Sequence, residues 1–175
     1  MIKGLFITGT DTDIGKTYVT SRIIKELKQH RYKVGYYKAA LSGVEKGTEK
    51  MILSDQDFVC QFADLDEINS KVSFVYEDAY APHLAAKKSN CLVDLNVIKK
   101  DLDDMVMHHD IVIIEGSGGI ICPLRDGENM IMLSDVMNLA KFPLIIVTSS
   151  GLGSINSAVL TALYAKSLGL EVLGF

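Results

Sequence analysis

An α/β fold, with helices on both faces of a mostly parallel central sheet, is predicted by three features of this 175-residue chain. Apolar, β-branched runs alternate with amphipathic helical segments along its whole length. The first apolar run passes through a glycine-containing loop directly into a helix. A second strand follows that helix closely, so strand, helix and strand make a βαβ unit whose crossover is expected to be parallel and right-handed.

Residues 2–8 read as a short buried strand that ends at the Gly9 turn. From Lys16 to about Arg31, Val19, Ile23, Ile24 and Leu27 recur at helical spacing with Arg22, Lys25, Glu26 and Lys28 between them. That pattern belongs to an amphipathic helix packed on a sheet. A second strand is expected over 33–37, ending at Lys38, and then an aperiodic loop over 39–50 containing Gly43 and Gly47. Open α/β sheets place ligand contacts at such a carboxyl edge.

Helical pattern resumes over 54–63, with Ser54 as N-cap. A short strand is expected at 72–75, and 79–86, which contains Pro82 and His83, reads as irregular and then short-helical. A clear amphipathic helix covers 94–108, where Leu95, Ile98, Leu102, Met105 and Val106 share one side. The continuous apolar run 111–114 is the signature of a central parallel strand covered on both faces, and it terminates in Glu115-Gly116-Ser117-Gly118-Gly119. A helix over 133–140, a strand over 143–148, an edge loop over 149–154, a helix over 155–168 and a strand from Glu171 complete the pattern. There is no internal repeat, low-complexity tract or linker, so a single domain is expected over 1–175.

Composition narrows the function classes. Hydrophobic residues make up 48% and charged residues 23%, ordinary for a globular chain, and the net charge of −4 offers no basic stripe for nucleic acid. Cys60, Cys91 and Cys122 are odd in number, widely spaced and without C-x-x-C pattern, which fits a reduced, cytoplasmic setting with each cysteine a small buried apolar side chain. No run of eighteen apolar residues and no basic, apolar leader is seen, so neither a membrane span nor export is expected.

Gly9-Thr10-Asp11-Thr12-Asp13-Ile14-Gly15-Lys16-Thr17 reads as a phosphate-binding loop. Its backbone N–H groups can converge on an anion, the helix behind adds its positive end, Lys16 supplies a cation, and Thr17 supplies a hydroxyl for Mg²⁺. Five residues separate the two glycines where the usual pattern has four, so this is a variant loop. The competing reading is an ordinary helix start capped by Thr10, Asp11 or Asp13. The strand–loop–helix context favours nucleotide, and with it a P-loop NTPase-like, three-layer α/β/α domain.

Glu115, at a strand end before glycines, can hold Mg²⁺ beside phosphates. Asp55 is a second candidate ligand, although an acid in a helix's first turn is also favourable without metal. From position alone, Lys38 and Ser42 read equally as cleft residues and as a solvated lysine and a loop serine.

These residues carry a resemblance. The loop 9–17, Tyr-Lys-Ala-Ala-Leu-Ser-Gly at 37–43, Ser-Asp at 54–55, Ala-Pro-His-Leu-Ala-Ala at 81–86, Glu-Gly-Ser-Gly-Gly at 115–119 and Gly-Leu-Gly-Ser-Ile-Asn at 151–156 come in the order found in dethiobiotin synthetases. The resemblance implies an ATP-dependent cyclo-ligase of biotin synthesis that joins CO₂ to 7,8-diaminopelargonic acid, releasing ADP and phosphate through a carbamate and a carbamic-phosphoric anhydride. It implies that Asp13, Ile14, Gly15, Lys16, Thr17 and Tyr18 line the ATP phosphates, with Glu115, Gly116, Ser117 and Gly118 also touching nucleotide. Thr17, Asp55 and Glu115 would serve Mg²⁺, and Lys38 with Lys16 would be the catalytic cations.

By the same resemblance, Thr12 and Ser42 would contact the substrate, and Gly151, Leu152, Gly153, Ser154 and Asn156 would receive its carboxylate tail across a two-fold homodimer. Ala39 and Ser117 stand where the family more often has Pro and Ala. The family's adenine-recognising segments follow the position of Phe175, so 1–175 is expected to be the ATP-binding domain without that part. His83 is expected to bond structurally. Two alternatives use a similar loop: nucleotide-switch ATPases of the partitioning or cell-division type, whose additional lysine aligns with Asp11 here, and cobyric-acid-type synthetase domains, which need a glutaminase domain.

Overall fold

The computed structural model describes residues 3–44 and 54–175. In chain order its elements are β1 (Gly4–Gly9), α1 (Lys16–Gln29), β2 (Val34–Ser42), α2 (Asp55–Ala63), a 3₁₀ turn at Glu67–Asn69, β3 (Ser70–Tyr76), α3 (Pro82–Lys88), α4 (Leu95–His108), β4 (Ile111–Glu115), β5 (Pro123–Arg125), β6 (Ile131–Met132), α5 (Leu133–Ala140), β7 (Leu144–Val147), α6 (Ser154–Ser167) and β8 (Val172–Gly174). Six strands form a parallel sheet in the order β3-β2-β4-β1-β7-β8, and β5 with β6 makes a separate antiparallel pair. The fold is the expected P-loop NTPase-like three-layer α/β/α arrangement. β1 and β2 are parallel as expected, and β4 lies between them.

Alternation along the central strands explains why their sequences are continuously apolar. Phe6, Tyr37, Val112 and Ile114 face one core with α3, α4 and α5, while Ile7, Tyr36 and Ile113 face the other with α1 and α2. Successive side chains point to opposite faces, so a strand covered on both sides has no polar position to spare. α4 inserts Ile98, Leu102 and Met105 into the first core, and α1 inserts Ile24 into the second. Fully burying each such side chain stabilises the fold by about 1.5–3 kcal/mol.

Several boundaries differ from the expectation. β2 does not end at Lys38 but continues to Ser42, pairing with β3 through Ser42↔Tyr76. Residues 39–42, expected as loop, are therefore strand; of that expected loop, 45–50 lie outside the described residues, as does residue 2 of the first expected strand. Ala39 and Ala40 are small and buried, and pairing of this stretch with β3 together with packing on both faces overrides their weak β preference. β3 is longer than 72–75, and the β5–β6 hairpin was not expected at all, because strands of three and two residues, the first beginning at Pro123, have no readable period. Of the cysteines, Cys122 is buried, Cys60 half-buried and Cys91 exposed, so the expectation of burial fails for Cys91.

Close packing of β1 on its neighbour yields a test. A Cβ on Gly4 would lie 2.2 Å from the Phe142 ring and 2.3 Å from the Val112 carbonyl oxygen. The carbonyl belongs to the paired strand and cannot yield as a flexible side chain would. Gly4→Ala is expected to lower the unfolding free energy by about 1–3 kcal/mol. Gly174→Ala, with nothing within 4 Å of the added carbon, is expected to stay within about 0.5 kcal/mol. Urea titrations of both variants check this, and equal losses would contradict it.

Candidate active site

Register alone brings two opposite charges together. In the parallel ladder of β2 and β4, Tyr36 pairs with Ile113 and Lys38 with Glu115. Tyr36 and Ile113 face α1 and α2, and a period of two sends Lys38 and Glu115 to the same face. There Lys38 Nζ donates to Glu115 Oε1 at 2.8 Å, and also to Asp55 Oδ2 at 2.5 Å. Lys38 is 3% exposed and Glu115 1%, whereas the Asp55 side chain remains 39% exposed at the first turn of α2.

Two helix starts complete the group. Ser54 caps α2 by accepting from Asp57 N, while Asp57 accepts from Ser54 N in return, and this capping box fixes where Asp55 begins the helix. Thr17, in the first turn of α1, places its hydroxyl 2.8 Å from Glu115 Oε1 and 3.1 Å from Asp55 Oδ1. Gly15 caps α1 in the left-handed region at φ 95° with no side-chain cap, so the reading of a helix start capped by Thr10, Asp11 or Asp13 does not hold. Among the described residues no side chain accepts from the first-turn N–H groups of α1, the arrangement that suits a phosphate.

Thr12, Asp13, Gly15, Lys16, Thr17, Tyr18, Lys38, Asp55, Phe58, Glu115 and Gly118 line a single cleft of about 390 Å³. Lys16 is buried at its rim and donates to the Asp11 carbonyl at 2.7 Å. Burial, and then the like charge of Lys38, hold the Lys16 ammonium below its ordinary pKa. An arriving anion would relieve both effects. Burial would also depress Lys38, but Glu115 and Asp55 outweigh it and raise the ammonium above its usual value. Burial pushes the Asp55 carboxyl up, and Lys38 chiefly, then Thr17, pull it below the ordinary range.

Not every expected site residue reaches this cleft. Ile14 instead lines a smaller pocket of about 170 Å³ with Thr10, Asp11, Leu152 and Ser154. Gly151, Leu152, Gly153, Ser154 and Asn156 form the turn and first turn of α6, next to the phosphate loop, which is joined to β7 by Thr10 N donating to Val147 O at 3.0 Å. Gly153, like Gly15, is a left-handed N-cap without a side-chain partner. Gly116 packs against β1 through its N–H to Ile7 O, and Ser117 turns inward to donate to Ala40 O at 2.6 Å, so neither lines the cleft. Ser42 ends β2 with its hydroxyl buried and unpartnered among the described residues. The ring nitrogen Nδ1 of His83 is likewise buried without a partner there, so the expected structural bond is not found at that atom.

Two residues of the site were not anticipated. Phe58 lines the cleft wall, and Tyr36, 0% exposed and not itself lining the cleft, donates its hydroxyl to Glu115 Oε2 at 3.1 Å. The spacing Tyr36-x-Lys38 on a strand already puts both on one face, and that was the available signal. A larger groove of about 840 Å³ beside β3 and α4 holds Glu67, Lys71, Lys99, Lys100 and Asp103 on exposed stems and gathers no buried polar group, so its size carries no function.

The oxygen donors of Thr17, Asp55 and Glu115 fit Mg²⁺. Neighbouring ligands of an octahedral ion at about 2.0–2.1 Å lie about 2.9 Å apart, and the Thr17 hydroxyl stands at 2.8 and 3.1 Å from the two carboxylates. The charge balance points the same way. Two lysines face the three carboxylates of Asp13, Asp55 and Glu115 in the cleft, so a nucleotide polyanion needs additional positive charge.

A family model described as an AAA domain matches residues 3–175. The ATP-dependent dethiobiotin synthetase BioD of Clostridium botulinum strain 657 is 46% identical over 98% of this chain and 76% of its own length. The enzyme of the same name from strain Langeland is 44% identical over the same shares. Among solved structures, the kinase domain of Escherichia coli tyrosine kinase ETK superposes with a TM-score of 0.57 at 17% identity, and the BceF tyrosine kinase domain with 0.59 at 15%. The chain spans 65% and 66% of those two domains, and the likeness concerns the fold alone.

The ion-pair geometry fixes a pH window. Asp55, held below its ordinary 3.8, contributes stability present above that pH and lost as pH falls through the folded value. Lys38, held above its ordinary 10.5, contributes stability present below that pH and lost as pH rises through the folded value. Thermal melts of wild type and Lys38→Met should therefore differ most between about pH 4 and pH 10.5 and converge outside that window. At neutral pH the variant should lose about 3–5 kcal/mol, because a buried ion pair is broken by removing one partner, Lys38, from Glu115 and Asp55. A pH-independent difference would contradict this assignment.

Proposed function

The chain belongs to the ATP-dependent dethiobiotin synthetase family, whose members are ATP-dependent ligases that form carbon–nitrogen bonds, and from that premise we propose that it closes the cyclic urea of dethiobiotin from 7,8-diaminopelargonic acid, CO₂ and ATP. The observation that carries the reading is the convergence of Lys16, Thr17, Lys38, Asp55 and Glu115 on one cleft at the mouth of a phosphate-binding loop. In this reading the loop N–H groups and the start of α1 receive the ATP phosphates, together with Lys16. Thr17, Asp55 and Glu115 hold Mg²⁺, which when bound screens the phosphate charge.

The substrate's two amines act in turn. One, carboxylated to a carbamate, attacks the γ-phosphorus with ADP leaving; the other then attacks the carbamic-phosphoric anhydride at carbon, and phosphate leaves as the ring closes. The nucleophile is an anion approaching a polyanion, so repulsion is the first obstacle. Lys38, fixed rather than mobile, offers a cation whose position costs no reorganisation at the moment of transfer. The ordered start of α6, with Gly151, Leu152, Gly153, Ser154 and Asn156, is assigned to the carboxylate tail of the substrate, and Thr12 and Ser42 to its amine end.

The same reading includes a homodimer. α6 leaves Ile155, Val159, Leu160 and Leu163 exposed, and Leu152 precedes them. A contiguous apolar helix face of this kind is what a subunit interface covers. No helix among the described residues is long and apolar enough to cross a membrane, and a cytoplasmic setting is part of the proposal.

Two outcomes are expected. Protein given Mg·ATP and bicarbonate should release ADP only when diaminopelargonate is added, and Lys38→Met should lower that kcat by about 10²–10³-fold; substrate-independent turnover would sink the reading. Leu163→Glu should shift the protein toward monomer in sedimentation velocity, and an unchanged sedimentation coefficient would remove α6 from the interface.

A further inference from the structure

Glu115 has two carboxylate oxygens, and the structure treats them differently. Oε1 faces the cleft, where the Thr17 hydroxyl and Lys38 Nζ both lie 2.8 Å away. Oε2 faces inward and accepts from the Tyr36 hydroxyl at 3.1 Å. Tyr36 is 0% exposed within the core made with Ile7, Ile24, Val59 and Ile113. A buried phenol needs a partner for its O–H, and here the partner is Glu115.

We propose that Tyr36 is a positioning residue that occupies Glu115 Oε2, restricting Glu115 to one-oxygen coordination and so biasing the site toward Mg²⁺ and against larger cations such as Ca²⁺. This rests on the reading of Thr17, Asp55 and Glu115 as cation ligands. Mg²⁺ takes six single oxygens at short distance, whereas Ca²⁺ takes six to eight and gains from a carboxylate that offers both its oxygens. With Oε2 held by Tyr36, itself buried in the core that contains Ile24 and Ile113, the two-oxygen mode is closed.

The test removes one oxygen atom. Wild type and Tyr36→Phe are titrated with Mg²⁺ and with Ca²⁺ by calorimetry at saturating non-hydrolysable ATP analogue. The Mg²⁺:Ca²⁺ affinity ratio is expected to fall about tenfold or more in the variant, the size of effect that loss of a ligand's supporting hydrogen bond has on metal affinity. Affinities that both fall by one factor, or do not move, overturn the proposal and leave Tyr36 a packing residue. Glu115→Gln separates this from the underlying reading: it is expected to weaken both cations, and unchanged affinity for both would remove Glu115 as a ligand altogether. Infrared spectra of the wild type test the same point should Tyr36→Phe not fold. The cation-bound Glu115 carboxylate, isolated by subtraction of the Glu115→Gln spectrum, is expected to show the wide band splitting of one-oxygen coordination, and a narrow splitting overturns the proposal.

Discussion

The contact on which the site depends is the Lys38–Glu115 pair, formed between directly opposed residues of two parallel strands. Its energetics are unusual for a fold of this size. Removing two charges from water costs several kcal/mol per ion, and their attraction roughly offsets that cost only when further hydrogen bonds satisfy the remaining donors and acceptors. Here Asp55, Thr17 and Tyr36 supply those bonds. An apolar pair of the same volume would hold β2 to β4 as well, so stability alone does not account for the arrangement. What an apolar pair could not do is present a fixed cation and a fixed carboxylate oxygen to the same cleft. Burial and strand pairing hold both without a mobile loop.

Four helix starts differ in how they are capped. α2 and α4 are capped by the side chains of Ser54 and Asp94. α1 and α6 begin instead at left-handed glycines with no side-chain cap. A glycine in place of a side-chain cap forgoes only a few tenths of a kcal/mol of local stability, and both of these starts border the phosphate loop. The two positive helix ends and the buried Lys16 thus give local positive potential in a chain whose net charge is −4. Overall acidity and an anionic ligand are compatible because only the local field matters at contact distance.

Much of this was legible in the sequence, for reasons that can be traced to particular residues. The β1–α1 unit was readable because an apolar run, a glycine loop and a 3.6-residue period follow one another without interruption, and 111–114 because four β-branched residues in a row suit only a strand covered on both faces. Ser54 announced its helix as a cap, and Asp94 marked the start of the helix that follows it. The β2 extension was hidden because Ala39, Ala40 and Ser42 carry no strand preference; pairing with β3 on one side and packing on both faces make them strand, and neither is local information. The β5–β6 hairpin fails for the same reason. In the site, Lys16, Thr17, Lys38, Asp55 and Glu115, which the structure brings to one cleft, were named from the motifs, but the inward turn of Ser117 and the separation of the α6 loop from the main cleft are facts of three-dimensional placement.

Correcting the end of β2 changes what kind of residue Lys38 is. At the tip of a strand, a lysine has four rotatable bonds and a solvated ammonium, and it reaches a ligand by paying the entropy of ordering itself. Within a strand that continues four residues further, paired on both sides and 3% exposed, that entropy has already been lost in folding. Its Nζ is directed by Glu115 and Asp55 before any ligand arrives. The same two carboxylates are the candidate cation ligands, so the lysine and a divalent ion lean on shared oxygens. The cleft is then one electrostatic unit: a change in Glu115 is felt at Lys38, Thr17 and Tyr36 together, and effects of substituting these residues should not add.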